Sequence, residues 1–221
     1  MSYAVRGGGL RPVKYLNGAA WNGQFRPYVV PVGDATALFV GDPVVIDTTG
    51  DASGSTGLPS CIRATAGSNP VTGVVVGFAP IDGSVVLGGD FMSGGSLTLD
   101  TPQFRAAATR RIVYVTDDPN LLYEIEEDNS SSLTFQDINL NAAFSLATPG
   151  STTTGQSNCV LNSSTKATTA ALNLKIMGLI RRADNDFFSS ANNTSTNVFS
   201  NPRFLVKINN HSYVSTGVVG V

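Results

Sequence analysis

Residues 109–128, TRRIVYVTDDPNLLYEIEED, constrain the fold more than any other part of the chain. Arg111, Val113 and Val115 alternate with Ile112, Tyr114 and Thr116, and β-branched and aromatic residues at period two suit a pleated, half-buried strand. Asp118-Pro119-Asn120 supplies the turn. Proline pre-sets φ, aspartate accepts a backbone N–H, and asparagine tolerates the next corner. In the second limb Tyr123 and Ile125 face one way and Glu124 and Glu126 the other. The expectation is a hairpin in a sheet with one wet side.

The same alternation marks further strands. Residues 28–30 end at Pro31, and 37–40 run through Gly41-Asp42-Pro43 into 44–46. Residues 71–78 are the most β-prone run, with Gly73 and Gly77 marking bulges or close backbone contacts. Residues 204–208 make a last strand. Over 169–180, Leu172, Leu174 and Ile176 favour a strand, although Leu172, Ile176 and Leu179 also fit a helix. Residues 133–146 are too weakly periodic to assign. Residues 47–60, 79–105, 148–169 and 183–203 read as loops, and no fixed repeat is evident. Charged residues make up 14% of the 221, below the usual figure of roughly 25%, while glycine numbers 23. That profile predicts an all-β fold, an antiparallel β-barrel or sandwich with long loops and little helix.

Residues 1–28 read as an extended N-terminal arm, and 29–221 as one β-rich domain with a loop-rich insertion around 128–170. The arm combines Gly7-Gly8-Gly9, two prolines and two Asn-Gly pairs with Tyr15, Trp21, Phe25 and Tyr28. The glycine triplet reads as flexibility. So many aromatics need a surface to lie on: the protein's own body, or a neighbouring subunit, where aromatics and arginine are favoured anchors. The candidate partner-binding residues are Arg6, Arg11, Tyr15, Trp21, Phe25, Arg26 and Tyr28.

Charge is distributed unevenly under a net of −2: residues 1–33 hold four bases and no acid, 34–137 a net of −10, and 138–221 a net of +4. Such polarity suits docking to a protein of complementary sign and suits nucleic acid poorly, so no nucleic-acid partner is expected. No run approaches the ~18 apolar residues of a membrane span. Met1-Ser2-Tyr3-Ala4-Val5-Arg6 opens no apolar leader, so a soluble protein made in a cytoplasm is expected, and Cys61 and Cys159 read as reduced thiols.

Catalytic chemistry has little to stand on. His211 is the only histidine, in a polar stretch that favours a structural role, and no phosphate-binding glycine loop is present. Asp117, Asp118, Glu124, Glu126, Glu127 and Asp128 raise calcium, but their spacing does not match a helix-flanked calcium loop and a solvated acidic rim is the simpler reading. No catalytic residue, cofactor or metal site is expected. The Asn-X-Ser/Thr matches at Asn129, Asn162 and Asn192 read as chance in a polar chain.

An ordered series of phrases resembles the cement (head decoration) proteins of tailed bacteriophages. It runs from Gly9-Leu10-Arg11-Pro12-Val13, Asn17-Gly18 and Trp21-Asn22-Gly23 through residues 35–44 and 72–78 to Arg111-Ile112-Val113-Tyr114-Val115-Thr116-Asp117-Asp118-Pro119, Tyr123-Glu124-Ile125 and Ile208-Asn209-Asn210-His211. The resemblance implies a β-rich virion protein, assembled in the bacterial cytoplasm, on the outer capsid surface. Its implied partners are the major capsid protein of the head and itself, as a dimer or trimer. The rival readings are another virion part, such as a tail or fibre component, and a carbohydrate-binding β-sandwich stacking sugars on Trp21, Tyr28 or Tyr213.

Overall fold

A computed structural model describes residues 7–48, 56–79, 103–131, 133–182, 185 and 201–214. Its strands are β1 (Arg11–Tyr15), β2 (Arg26–Val30), β3 (Leu38–Phe39), β4 (Pro43–Ile46), β5 (Cys61–Arg63), β6 (Gly73–Phe78), β7 (Phe104–Arg105), β8 (Arg111–Thr116) and β9 (Leu121–Glu126), then β10 (Asn141–Ser145), β11 (Val160–Ala167), β12 (Leu174–Leu179) and β13 (Arg203–Ile208). One 3-10 turn at Phe135–Asp137 precedes β10. The six-stranded sheet has the order β1-β9-β13-β12-β10-β11, the five-stranded sheet β2-β8-β6-β4-β5, and β3 pairs with β7. The protein is all-β and antiparallel, as alternation and low charge predict. One parallel bridge curls each large sheet: Val29 of β2 meets Ser60 beside β5, the two outer strands of the five-stranded sheet, and Glu127 at the end of β9 meets Leu161 of β11 in the six-stranded one. No ladder closes either sheet into a barrel, and the packing is that of a sandwich. Among the described residues no helix is long and apolar enough to cross a membrane.

β8, β9 and their turn form where expected, with Asn120 N–H donating to Asp118 Oδ1 at 2.7 Å. The two limbs nevertheless do not pair. β8 lies between β2 and β6, and β9 between β1 and β13, so the turn carries the chain from one sheet to the other. The reason is burial: all six β9 residues are buried, so there is no wet side. Glu124 meets Arg203 at 2.7 Å and Arg182 at 2.6 Å, and Glu126 meets Arg203 at 3.5 Å. Burial alone would lift the Glu124 carboxyl, but hydrogen bonds from Arg203 and Arg182 outweigh it and hold it below its ordinary range. The acidic rim is thus in part a buried ion-pair network, formed by Glu124 and Glu126, and Glu127 is enclosed beside them.

Leaving out β1, β3 and β7, the two sheets repeat one plan. In each unit the first strand lies beside the fifth, then come the fourth, second and third: β2-β8-β6-β4-β5 and β9-β13-β12-β10-β11. Registers match in detail. β4 meets β6 through Pro43 with Val74 and Val44 with Gly73, as β10 meets β12 through Asn141 with Lys175 and Ala142 with Leu174. A bulge interrupts the fourth-to-fifth ladder between Val75 and Gly77 in one unit and between Ile176 and Gly178 in the other. The turn before each second strand is left-handed, Gly41 at φ 96° and Asn139 at φ 74°. Its ties correspond too: Gly41 N–H donates to Val75 O and Asn139 N–H to Ile176 O, each at 2.8 Å. The first unit encloses Tyr28, Val30, Leu38, Val44, Val75, Val113 and Val115. The second encloses Tyr123, Ile125, Phe144, Leu161, Leu174, Ile176 and Val206, and takes in Leu10, Val71 and Val74 where the units meet.

Three readings need correction. Residues 128–170 contain β10 and β11, the latter a strand in spite of its polar sequence because Asp128 and Ser163 bond its start and Lys166 pairs with Asp137 at 2.9 Å. The glycine triplet is a packed crossing instead of a flexible link. All three glycines have positive φ, and a Cβ on Gly9 would lie 2.4 Å from Gly41 O. Only glycine permits both the left-handed backbone and that approach. The end of the 79–105 loop is the strand β7; residues 49–55, 80–102, 183–184 and 186–200 lie outside the described residues, and with them most of the remaining loop readings.

Arg105 ties the remaining loops together. Its guanidinium, fully enclosed, donates to Thr109 O at 2.7 Å, Asp34 Oδ2 at 3.0 Å, Pro31 O at 2.8 Å, Asp34 O at 2.7 Å and Thr36 O. A buried cation is tolerable when every donor is used and a carboxylate is adjacent. Replacing Arg105 with leucine is expected to cost about 3–5 kcal/mol, because Asp34 and four carbonyls lose their donor inside the protein; urea unfolding measures it.

Glu127 sits at the seam of the second unit, wholly enclosed, with Oε1 accepting from Leu133 N at 3.3 Å and Oε2 without a hydrogen-bond partner among the described residues. Burial pushes its carboxyl up from 4.5 to about 7, against hydrogen bonds from Leu133 and Ser163. The folded state then keeps a proton that the unfolded chain releases. Its contribution to stability is full below the ordinary glutamate value and is lost as pH rises through about 7. Urea titrations of the protein and of Glu127→Gln across that range should differ in slope, with the variant losing the decline.

Candidate docking surface

The stretch between the Gly7–Gly9 crossing and β2 is where aromatic, apolar and basic side chains face solvent together. β1 pairs with β9 along one edge of the second unit. After Tyr15 the chain reverses at Asn17-Gly18, with Gly18 N–H on Tyr15 O at 2.9 Å and Tyr15 N–H on Ala19 O at 2.8 Å. The return limb bridges Ala20 to Lys14, and Trp21 N–H reaches Val13 O at 3.1 Å, so it covers the outer edge of β1. The chain then crosses to the other sheet as β2. The segment read as an arm is thus built into both units from residue 11 onward, since β1 finds an unpaired edge on β9 and β2 one on β8.

The candidate residues divide by exposure. Arg6 lies outside the described residues. Arg11, Phe25 and Arg26 are exposed. Tyr15 and Trp21 are half-buried against the core of the second unit, and Trp21 Nε1–H donates to Gln24 O at 3.3 Å. Phe25 is 46% exposed and rests on Tyr114, ring centroids 4.5 Å apart. Arg26 pairs with Asp117 at 3.4 Å. Tyr28 is 1% exposed, which corrects its reading as a partner-binding residue: it is core. It lies two residues from Arg26 on the same strand face, so both reach Asp117, and its hydroxyl donates there at 2.9 Å beside the Tyr213 hydroxyl at 2.8 Å. Burial lifts the Tyr28 phenol far above its ordinary range, with Tyr213 and Asp117 adding to the shift.

Residues not anticipated complete the surface. Val13, Leu16, Phe25 and Val32 are exposed, four of the seven large apolar residues so described, and all lie within residues 13–32. Arg11 and Lys14 stand exposed among them. Val13 and Leu16 carried no signal, because exposure follows from the β1 bulge between Pro12 and Lys14 and from the reversal at Asn17. Tyr114 was assigned to its strand, but its place beside Phe25 needs the β2–β8 register, which sets Pro27 opposite Tyr114.

His211 is enclosed, its Nδ1 accepting from Tyr213 N at 3.1 Å, and burial lowers its pKa while Asp117 and Asp118 oppose. Cys61 and Cys159 are free and buried, one in each core. Among the described residues no group of three His, Cys, Asp or Glu side chains is arranged to hold a metal ion. Comparison with protein-family models, curated proteins and solved structures yields no match.

The split between core and surface is measurable. Tyr28→Ala should cost about 3–5 kcal/mol of unfolding free energy, as for a buried aromatic. Phe25→Ala should cost less than about 1 kcal/mol, the scale of one exposed ring pair. Denaturant midpoints of the two variants check both.

Proposed function

We propose that this chain is a structural protein of a tailed-phage head, docking on the outer face of the assembled shell and bridging subunits of the major capsid protein. The observation that supports the reading best is the strip of residues 11–32. There Val13, Leu16, Phe25 and Val32 face solvent beside the bases Arg11, Lys14 and Arg26. Apolar side chains bordered by one sign of charge fit a protein surface of acidic character. The series of phrases that resembles head decoration proteins suggests the partner, and self-association into a dimer or trimer belongs to the same proposal. A rigid two-sheet body suits the task. A ligand that binds the assembled shell but not its dispersed subunits shifts assembly by mass action, and many copies multiply a modest contact. For the rival carbohydrate reading, Tyr28 is enclosed and has no face to offer a sugar.

Purified heads lacking this protein, mixed with it and sedimented, test the proposal. The protein should pellet with heads and not with dispersed capsid subunits. The double variant Phe25→Ala, Arg26→Ala should attach about tenfold or more weakly while staying folded, and raising salt should weaken attachment. Failure of the unaltered protein to pellet, or equal attachment by the variant, would refute the reading.

A further inference from the structure

The strip 11–32 carries two Asn-Gly pairs, Asn17-Gly18 and Asn22-Gly23, all four residues exposed. At both, the asparagine Oδ1 accepts from the backbone N–H two residues on: Ala19 N at 3.0 Å for Asn17 and Gln24 N at 3.2 Å for Asn22. This turn folds the side-chain amide back along the backbone of the glycine that follows. Both glycines have positive φ, and nothing stands within 4 Å of where either Cβ would be. The pairs differ in one respect. Gly18 N–H is held by Tyr15 O at 2.9 Å, whereas Gly23 N–H has no hydrogen-bond partner among the described residues. The Tyr15 hydroxyl lies between two acceptors, Gln24 Oε1 at 3.4 Å and Asn22 Oδ1 at 3.5 Å.

We infer that Asn22-Gly23 is a site of spontaneous backbone modification, and that Asn17-Gly18 is protected from the same reaction by its hairpin hydrogen bond. Solvent base takes the Gly23 amide proton, and the nitrogen attacks Cγ of Asn22. Charge gathers on Oδ1, where Gln24 N–H donates to it. The Cγ–Nδ2 bond breaks and ammonia leaves with a proton from solvent, closing a succinimide ring. Water then opens the ring at either carbonyl, leaving aspartate or isoaspartate at residue 22. Either product places a carboxylate in a stretch whose charged side chains are otherwise Arg11, Lys14 and Arg26. Isoaspartate also lengthens the backbone between Trp21 and Gln24, which are tied at 3.3 Å. The inference concerns the free protein and stands or falls independently of docking.

Incubation of the full chain at mildly alkaline pH, followed by peptide mapping and enzymatic methylation of isoaspartate, tests it. In the native protein Asn22 should convert about tenfold faster than Asn17, the factor one ordinary hydrogen bond supports. In concentrated urea, where the hairpin is gone, the two rates should converge. Asn22→Gln should remove the native methylation signal of the peptide spanning residue 22, and Asn17→Gln should leave it; mapping separates it from that of Asp82-Gly83, which reaches isoaspartate by the same ring. Equal native rates at the two asparagines or a faster Asn17 would each overturn the inference.

Discussion

Antiparallel sheets expose a row of unpaired backbone groups along each outer strand, and this fold is arranged around covering them. Within each unit the outer strands approach until one parallel bridge joins them, Val29 to Ser60 and Glu127 to Leu161. The remaining edge of β9 receives β1, and the edge of β1 is covered in turn by the return limb at Ala20. β2 carries Pro27, which has no N–H to offer, and its Val29 N–H is taken by Pro59 O at 3.0 Å. The exposed apolar strip lies where this covering is least regular, at the passage from one sheet to the other.

Because both faces of β9 are enclosed, the fold contains charge where an alternating strand would ordinarily meet water. Glu124 and Glu126 are compensated by Arg203 and Arg182, and Arg105 by Asp34 and a ring of carbonyls. Buried pairs of this kind add little stability over apolar packing, yet removing one member leaves the other uncompensated. They therefore fix which segments meet. Arg105 selects the course of residues 31–36, and Arg203 selects the register of β13 against β9.

Strand positions were legible wherever alternation was strong: β2, β4, β6, β8, β9, β12 and β13 lie on stretches read as strands. β1 and β11 were missed for different reasons. Arg11-Pro12-Val13-Lys14-Tyr15 has a proline and no apolar face, and it is a strand only because β9 offers an edge. VLNSSTKA is ordered by hydroxyl and amide bonds that leave no hydropathy signal. The duplicated plan was equally silent. GVVVGF and LKIMGL occupy equivalent places yet share only the glycine that follows the bulge, since the plan asks only for apolar side chains facing inward. Of the surface, Phe25 and Arg26 were found from residue type alone, whereas Tyr28, of the same type, proved internal because the β2 face it occupies points into the first core.

The placement of β1 bears on how the chain is made. Arg11 sits opposite Glu124, so β1 waits during synthesis for a partner made about a hundred residues later. During that interval β2, β4, β5, β6 and β8 can assemble the first unit from material already in hand, while β1 stays unpaired. Docking of β1 onto β9 then seals the free edge of the second unit, so a segment made before either sheet takes its place after both.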